Sequence, residues 1–263
     1  MPSVALRPRS TTELIDAAVQ LLRQHYIEFV TVSAIFVIPG LLVGVLFAPH
    51  MQAGAMPDFF QLFVFVVLAL AAGSFSLMST AAIVLVVSDS YLGREVSIAS
   101  AVQRVIHRVG SVFAASFLQS LVIGFGFLLF IIPAFIFLAW FFAATAVVVI
   151  EGKTAGAAMS RSKALAAGSV GRILGTLLLS LVIVIVIQLV VGVCVSLLGT
   201  LLHLGNSLTS LVTGIANLMI YPFVTVVITL LYYDLRIRKE GFDLEIMATE
   251  LGHPTPSAAP ASA

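Results

Sequence analysis

This sequence has little charge, and its positive charges are missing from most of its length. Asp, Glu, Lys and Arg together make up 10% of the 263 residues, against about 25% in a typical soluble domain. No Lys or Arg occurs in three long stretches, at residues 24–93, 109–152 and 173–235. With 60% hydrophobic residues and a mean hydropathy of +1.16, the composition excludes a soluble globular domain and indicates an integral membrane protein.

The sequence also lacks most of the groups that catalysis uses. The single cysteine, Cys194, lies in an apolar run, so an intramolecular disulfide is excluded and we expect a small buried hydrophobic residue. There is no phosphate-binding glycine loop, dinucleotide-binding fingerprint or metal-binding pair, and His50 and His203 are separate loop residues. No ionisable residue falls near the middle of a predicted crossing, which disfavours a proton-coupled transporter. The sequence therefore predicts no catalytic residue, no metal site and no cofactor.

What the sequence does contain is thirteen Lys and Arg residues in four short clusters. Each stretch between clusters holds two crossings of about 20 residues, so the chain returns to the side that it left. All four clusters then share one face, and the excess of Lys and Arg in cytoplasmic loops makes that face the cytoplasm, with both termini inside. We therefore predict an all-α fold, a six-helix membrane bundle formed by residues 1–251, with a disordered tail at 252–263.

Hydrophobic periodicity places six crossings and four surface helices. The crossings are predicted at about 29–47, 62–88, 111–132, 133–150, 173–197 and 208–233. Amphipathic surface helices are predicted at the cytoplasmic face, because apolar side chains recur there at helical spacing opposite polar ones; they lie at about 11–28, 95–109, 154–168 and 243–251. Ser10 and Glu13 fit a capping box at the start of the first one. Whether the tight hairpin of the third and fourth crossings reaches the far side stays open.

Small and polar side chains inside the crossings are interpreted as packing residues. The spacing Ser116-xxx-Ser120-xxx-Gly124 predicts a face on which two helix backbones approach closely. The strongest polar groups of the crossings are expected to hydrogen-bond between helices rather than to bind a substrate; they are Gln119, Gln188 and Asn217.

The second, fourth and sixth crossings end alike, in a carboxylate that basic residues follow. These carboxylates are Asp89, Glu151 and Asp234. One interpretation is an internal repeat with three copies. Each copy would consist of a surface helix, two crossings and a carboxylate at the end of the second crossing. The carboxylates would then surround a pseudo-threefold axis and orient Arg94, Lys153 and Arg236. The alternative is that charged exits occur in any protein built of helical hairpins, and that each carboxylate pairs locally.

Three groups of residues carry a resemblance to a known family. They are Leu14-Ile15-Asp16-Ala17-Ala18 with Pro39-Gly40, then Glu151-Gly152 with Ala157-Ala158, Arg161-Ser162 and Leu165, and finally the run from Tyr232-Tyr233-Asp234 to Leu244. Across residues 10–246 the chain resembles the bacterial membrane-domain family related to the membrane region of glycerophosphodiester phosphodiesterases, with its uncharacterised six-helix relatives. The resemblance implies a multi-pass protein of the bacterial inner membrane. Where a phosphodiesterase domain is attached, that domain performs the hydrolysis; we see none in this sequence and expect no enzymatic activity.

The cytoplasmic face is where we expect the function. Arg and Lys at headgroup depth attract anionic lipid by about 1 kcal/mol each. The leading hypothesis is a non-enzymatic protein whose basic, amphipathic face engages lipid headgroups or a partner protein, such as a membrane or lipid enzyme. The mixture of acidic and basic residues there argues against nucleic acid. The candidate lipid-phosphate contacts are Arg94, Arg104, Arg108, Lys153, Arg161, Lys163, Arg236 and Arg238, and the candidate orienting carboxylates are Asp89, Glu151 and Asp234.

Two other classes of function stay open. Pro39, Pro133 and Pro222 could interrupt crossings and form a discontinuous-helix site, as in a transporter or channel for a small or amphiphilic solute. An enzyme acting on a lipid would require polar groups that converge in a pocket, with the exit carboxylates as its catalytic groups.

Overall fold

The computed structural model describes residues 7–47, 59–129, 131–203 and 205–244, which are mostly α-helical and contain no strand. The all-α prediction is confirmed for these ranges. The helices are α1 (Thr11–Gln24), α2 (Tyr26–Phe47), α3 (Phe59–Tyr91), α4 (Ile98–His107), α5 (Val109–Leu129), α6 (Ile131–Phe141), α7 (Ala144–Ala146) with a π-helical turn (Val147–Glu151), α8 (Ala155–Ala166), α9 (Val170–Leu201), α10 (Asn206–Ile220) and α11 (Pro222–Glu240).

Several of these helices are able to cross a membrane. Within the described residues, five stretches are long and apolar enough, namely Gly73–Tyr91, Val109–Leu128, Ile132–Glu151, Val170–Leu201 and Leu211–Glu240. Helix α1 and the first part of α2 meet at 80° and make a sixth if they are counted as one bent span. The fold is therefore that of a multi-pass membrane protein. The tail predicted at 252–263 lies outside the described residues, as does most of the helix predicted at 243–251.

The Lys and Arg side chains gather at one end of the helices, which we call the charged end. Helices α1, α4 and α8 lie there. Helix α1 begins with the predicted capping box, since the Glu13 amide donates to the Ser10 hydroxyl at 3.2 Å and the Ser10 amide donates to the Glu13 carboxylate at 2.7 Å. These bonds occupy N–H groups that have no partner within the helix.

The apolar faces of α1 and α8 are covered by protein. Leu14 and Ala18 of α1 are fully buried, as is Ala158 of α8, and Leu165 is 1% exposed. Helix α1 packs across α11, while α8 packs against α6 and α5. The amphipathic pattern that predicts an interfacial helix thus reflects, in α1 and α8, a face turned towards the other helices.

Helix α11 is central and α9 is peripheral. From Leu230 to Leu235 every residue of α11 is buried. In α9, by contrast, only 6% of the apolar stretch that could span a membrane is buried. Cys194 lies on α9 and is exposed, so the expectation of a buried cysteine is wrong. The apolar run that surrounds it faces outwards, as a bilayer requires.

The close contact between α5 and α6 occurs at Gly126 and not at the predicted face. A Cβ atom at Gly126 would lie 2.8 Å from Cδ2 of Phe137, whereas nothing lies within 4 Å of the same position at Gly124. Ser120 is exposed. The packing face predicted from Ser116, Ser120 and Gly124 is therefore wrong, because Ser116 and Ser120 line a cavity and a Cβ at Gly124 would meet open space.

The predicted interhelical hydrogen bonds of the amides are absent from the part of the chain that the structure describes. Gln188 and Asn217 lie on exposed surfaces of α9 and α10, and Gln119 lines the cavity. None of the three side chains bonds to a neighbouring helix within this part. The expectation fails because a polar residue in a membrane helix can also face outwards or towards a cavity.

Candidate functional site

Three consecutive residues of α11 connect the ends of its neighbours. Tyr232, Tyr233 and Asp234 are 0%, 0% and 2% exposed. Successive residues of an α-helix point about 100° apart, so the three side chains reach three different neighbours. We call these residues the Tyr-Tyr-Asp hub.

The first hub residue reaches the end of the π-helical turn. The Tyr232 hydroxyl donates to Oε1 of Glu151 at 2.8 Å. Glu151 also accepts from Nε of Arg161 at 3.2 Å and lies 3.3 Å from Nζ of Lys153. Arg161 donates onward to Glu240 at 2.8 Å, and this bond, with the nearby carboxylates, raises the pKa of Arg161. Arg161 is therefore a permanent cation that joins α8 to α11.

The second hub residue reaches the end of α3. The Tyr233 hydroxyl lies 2.6 Å from the Ser88 hydroxyl, and its ring stacks on Tyr91 with centroids 5.1 Å apart. Asp89, next to Ser88, forms an ion pair with Arg104 of α4. This branch ties α11 to α3 and, through α3, to α4.

The third hub residue holds the N-terminal segment. Asp234 accepts from the Arg9 amide at 2.8 Å and from Nε of Arg238 at 2.9 Å. It also forms an ion pair with Arg172 at 2.9 Å. Both guanidinium groups also donate to the Arg9 carbonyl. A buried carboxylate needs such pairing, because burying an unpaired charge is very unfavourable.

A separate contact braces the π-helical turn. Arg108 donates to the Val148 carbonyl at 3.0 Å. Gly152 ends the turn with φ at +72°, and a Cβ there would lie 2.5 Å from the Arg108 guanidinium. Glycine is favoured at this position by its left-handed backbone, and a side chain there would also displace the Arg108 guanidinium.

The candidate lipid contacts have mixed surroundings. Arg104, Lys153, Arg161, Arg236 and Arg238 take part in ion pairs. Lys163 lies 4.4 Å from the Trp140 ring centroid, Arg108 bonds to a carbonyl, and Arg94 is exposed.

The candidate carboxylates do not pair as a threefold arrangement predicts. Glu151 binds Lys153, as expected, but Asp89 binds Arg104 rather than Arg94. Asp234 binds Arg172 and Arg238, and Arg236 pairs with Glu240. Our candidate sets did not include Arg9, Arg172 and Glu240; the i,i+4 spacing of Arg236 and Glu240 is the one signal that pointed to any of them.

A cavity of about 230 Å³ lies deeper in the bundle, between α3, α5, α11 and the start of α7. Half of the residues that line it are polar, namely Thr80, Ser116, Gln119, Ser120, Thr145 and Thr225. Thr80 precedes Asp89 by nine residues and Thr225 precedes Asp234 by nine, or about 14 Å along a helix. The cavity is therefore about half a bilayer thickness away from the charged end.

Two interruptions in helices flank this cavity. Between α6 and α7, the buried Ser162 hydroxyl of α8 donates to the Trp140 carbonyl at 2.9 Å and accepts from the Ala143 amide at 3.2 Å. Between α10 and α11, the Tyr221 hydroxyl lies 2.8 Å from the hydroxyls of Ser76 and Thr80.

Of the three prolines expected to interrupt crossings, Pro222 alone stands at a break within the described residues. It is the first residue of α11. Pro39 lies inside α2, which stays helical, and Pro133 lies in the first turn of α6. The first turn of a helix tolerates proline because its N–H groups have no intrahelical partner. Neither Pro39 nor Pro133 therefore divides a helix within the described residues.

Fold and site together define an all-helical, multi-pass membrane protein whose charged end is held by internal ion pairs and whose interior contains a polar cavity. No protein-family model, curated protein or solved structure matches this chain.

Proposed function

We propose that this chain is a non-enzymatic, six-pass protein of the bacterial inner membrane that engages anionic lipid headgroups at its charged end, which lies in the cytoplasm. The positive-inside rule supports this orientation. The resemblance to the membrane-domain family related to glycerophosphodiester phosphodiesterases supports the choice of membrane. In this proposal the three exit carboxylates act as local ion-pair partners, since each one holds a different set of groups.

The observation that carries the proposal is the surface of α4 and the start of α5. We call it the α4 corner, and it consists of Arg104, Ile106, His107, Arg108 and Val109. Ile106 and Val109 are 53% and 44% exposed, beside two arginines that are also exposed. Apolar side chains that enter the acyl boundary beside cations that meet phosphates are typical of interfacial lipid-binding helices.

Charge sets the α4 corner apart from α1. No Asp or Glu occurs between Glu95 and Glu151, whereas α1 carries Glu13 and Asp16. Arg94, which is exposed, comes shortly before α4. A phosphate at this corner would therefore meet cations with no acidic residue of α4 beside them.

Internal bonds position the arginines of this corner and leave some of their N–H donors available to a ligand. Arg104 keeps 42% of its side chain exposed while it pairs with Asp89. Nε of Arg104 also donates to the Ser100 carbonyl at 3.3 Å. A guanidinium has five N–H donors, so these two internal partners leave donors for a phosphate. Arg161, in contrast, is 24% exposed and bonds to both Glu151 and Glu240. The proposal thus narrows the candidate contacts to Arg94, Arg104 and Arg108.

Native mass spectrometry of the protein with phosphatidylglycerol or phosphatidylcholine tests this proposal. The variant R94Q/R104Q/R108Q should retain at least fivefold less phosphatidylglycerol than the wild type, with little change for phosphatidylcholine. The charge-preserving R94K/R104K/R108K variant should retain most of it. The matched control R7Q/R23Q, at exposed arginines beside or on α1, should behave as the wild type.

Equal retention of phosphatidylglycerol by the wild type and the triple Gln variant would contradict the proposal. Thermal unfolding in detergent, measured on the same samples, identifies a loss of folding. If the triple Gln variant does not fold, R94Q with H107Q makes the comparison, since neither side chain bonds to another helix in the described part of the chain.

A further inference from the structure

We propose that the cavity between α3, α5, α11 and the start of α7 binds a small, neutral solute that both donates and accepts hydrogen bonds. This site is independent of lipid binding at the α4 corner, because no residue of that corner lines the cavity. The position of the cavity, about 14 Å along the helices from the charged end, places it near the middle of a hydrocarbon core about 30 Å thick.

The polar groups of the cavity are largely unpaired. The Ser116 hydroxyl is buried and has no hydrogen-bond partner, and the residue is 5% exposed. In the part of the chain that the structure describes, Gln119, Ser120, Thr145 and Thr225 also form no side-chain hydrogen bond. Bare lipid supplies no partner for such groups and leaving them unpaired is unfavourable. These unpaired side chains around one cavity, with the Ser116 hydroxyl buried among them, therefore indicate a site for a polar molecule.

The chemistry of the lining selects a neutral molecule. None of the twelve lining residues is ionisable, so a charged solute would be buried without compensation. Hydroxyl groups and the Gln119 amide each donate and accept, which favours a solute that does both. The other half of the lining is apolar, including Leu77, Val84 and Phe142, and suits a small hydrocarbon part. A short amide or a short polyol has these properties.

The size of the cavity suits a solute of a few non-hydrogen atoms. A water molecule in the liquid occupies about 30 Å³, so about 230 Å³ corresponds to a handful of waters or one small organic molecule. The helices around the cavity are also held in place. Ser162 bonds to both sides of the adjacent break between α6 and α7, and Tyr221 bonds to Thr80 on the opposite wall. The site is thus preformed by contacts that are not part of its unpaired lining.

Saturation-transfer NMR on the full chain in deuterated detergent tests the proposal with defined probes. Acetamide and glycerol represent the amide and the polyol, and acetate is the charged isostere of acetamide. We expect a saturable signal for at least one neutral probe and none for acetate. Gln119→Leu and Ser116→Ala should each reduce the signal at least fivefold. Gln188→Leu is the matched control on the exposed surface of α9 and should leave the signal unchanged.

Three outcomes would overturn the proposal. They are no saturable signal from either neutral probe, an equal signal from acetate, or a neutral-probe signal that both cavity substitutions leave intact. The first would mean that the cavity binds neither probe, the second that it does not select a neutral solute, and the third that the probe binds elsewhere. Ser116→Ala removes the unpaired hydroxyl and adds no atom at this buried position, so this variant should fold even if Gln119→Leu does not. The thermal midpoint of each variant, compared with the wild type, verifies folding.

Discussion

At the scale of single residues, one hydroxyl group links much of the charged end. Tyr232 bonds to Glu151, which in turn holds Arg161 and Lys153. Replacing Tyr232 by Phe should reduce the free energy of unfolding by about 1.5–3 kcal/mol, because a hydrogen bond to a charged group contributes about that much. Titration with a denaturing detergent, followed by circular dichroism, measures the change.

Tyr91 supplies the control for this substitution. Its ring is 6% exposed and stacks on Tyr233, but within the described residues its hydroxyl forms no hydrogen bond. Tyr91→Phe should therefore change the stability by less than about 0.5 kcal/mol. An equal decrease in the free energy of unfolding of both variants would show that the hydrogen bond from Tyr232 does not stabilise the protein.

The partners of Asp234 show which part of the site the sequence reveals. Arg238 lies four residues later on the same helix face, and the i,i+4 rule is sufficient to predict that pair. Arg236, which we expected instead, lies two residues later and points away from Asp234. Arg172 and Arg9 are distant in sequence, so their contacts depend on how α9 and the N-terminal segment pack. Sequence periodicity carries no information about such packing.

At the scale of helices, the capping box makes the start of α1 sensitive to pH. Hydrogen bonds from the Ser10 amide and from Arg7 lower the pKa of Glu13 below its ordinary value of 4.5. A carboxylate with a lowered folded-state pKa stabilises the protein above pH 4.5, and this contribution is lost as the pH falls through the folded-state pKa.

The prediction for Glu13→Gln follows because the ionised form of Glu13 is the one that stabilises the protein. The variant should unfold at a lower temperature than the wild type at pH 6, and the difference should shrink as the pH falls below 4.5. Thermal melts at several pH values measure it. A difference that stays constant down to the lowest pH would show that the charge on Glu13 does not matter.

The break between α6 and α7 depends on a side chain from another helix. Ser162→Ala removes the hydroxyl that bridges Trp140 and Ala143, and it should destabilise the protein by about 1–3 kcal/mol. Amide exchange in residues 140–151 should become faster. Ser160→Ala, at an exposed position of the same helix, is the control and should change neither quantity. Unchanged exchange in the Ser162 variant would contradict the bridging role.

Long helices could be predicted from this sequence because the bilayer dictates their length and composition. The break at Phe142 and Ala143 could not, since neither residue disfavours a helix as proline does and its cause lies in α8. The cavity was missed for a related reason. Serine and threonine at four-residue spacing mark a close helix contact in one context and line a cavity in another, and the difference lies in the packing around Ser116.

At the scale of the whole molecule, the orientation can be tested with the single cysteine removed. In a Cys194→Ala background, Ser160→Cys places a thiol at the charged end and His203→Cys places one at the opposite end. A maleimide that does not cross membranes should label the His203 variant in intact spheroplasts, and the Ser160 variant only after lysis. The reverse pattern would contradict a cytoplasmic charged end.

Helix α9 has a mechanical consequence for the whole protein. Its 32 residues extend about 48 Å, well beyond a hydrocarbon core of about 30 Å, and the rest of the protein covers little of it. Extension into the headgroup layers, tilting or local thickening of the bilayer would accommodate the extra length. Near its start, Arg172 anchors α9 to Asp234. A change in the tilt of α9 that follows a change in membrane thickness would therefore act on Asp234 through this ion pair.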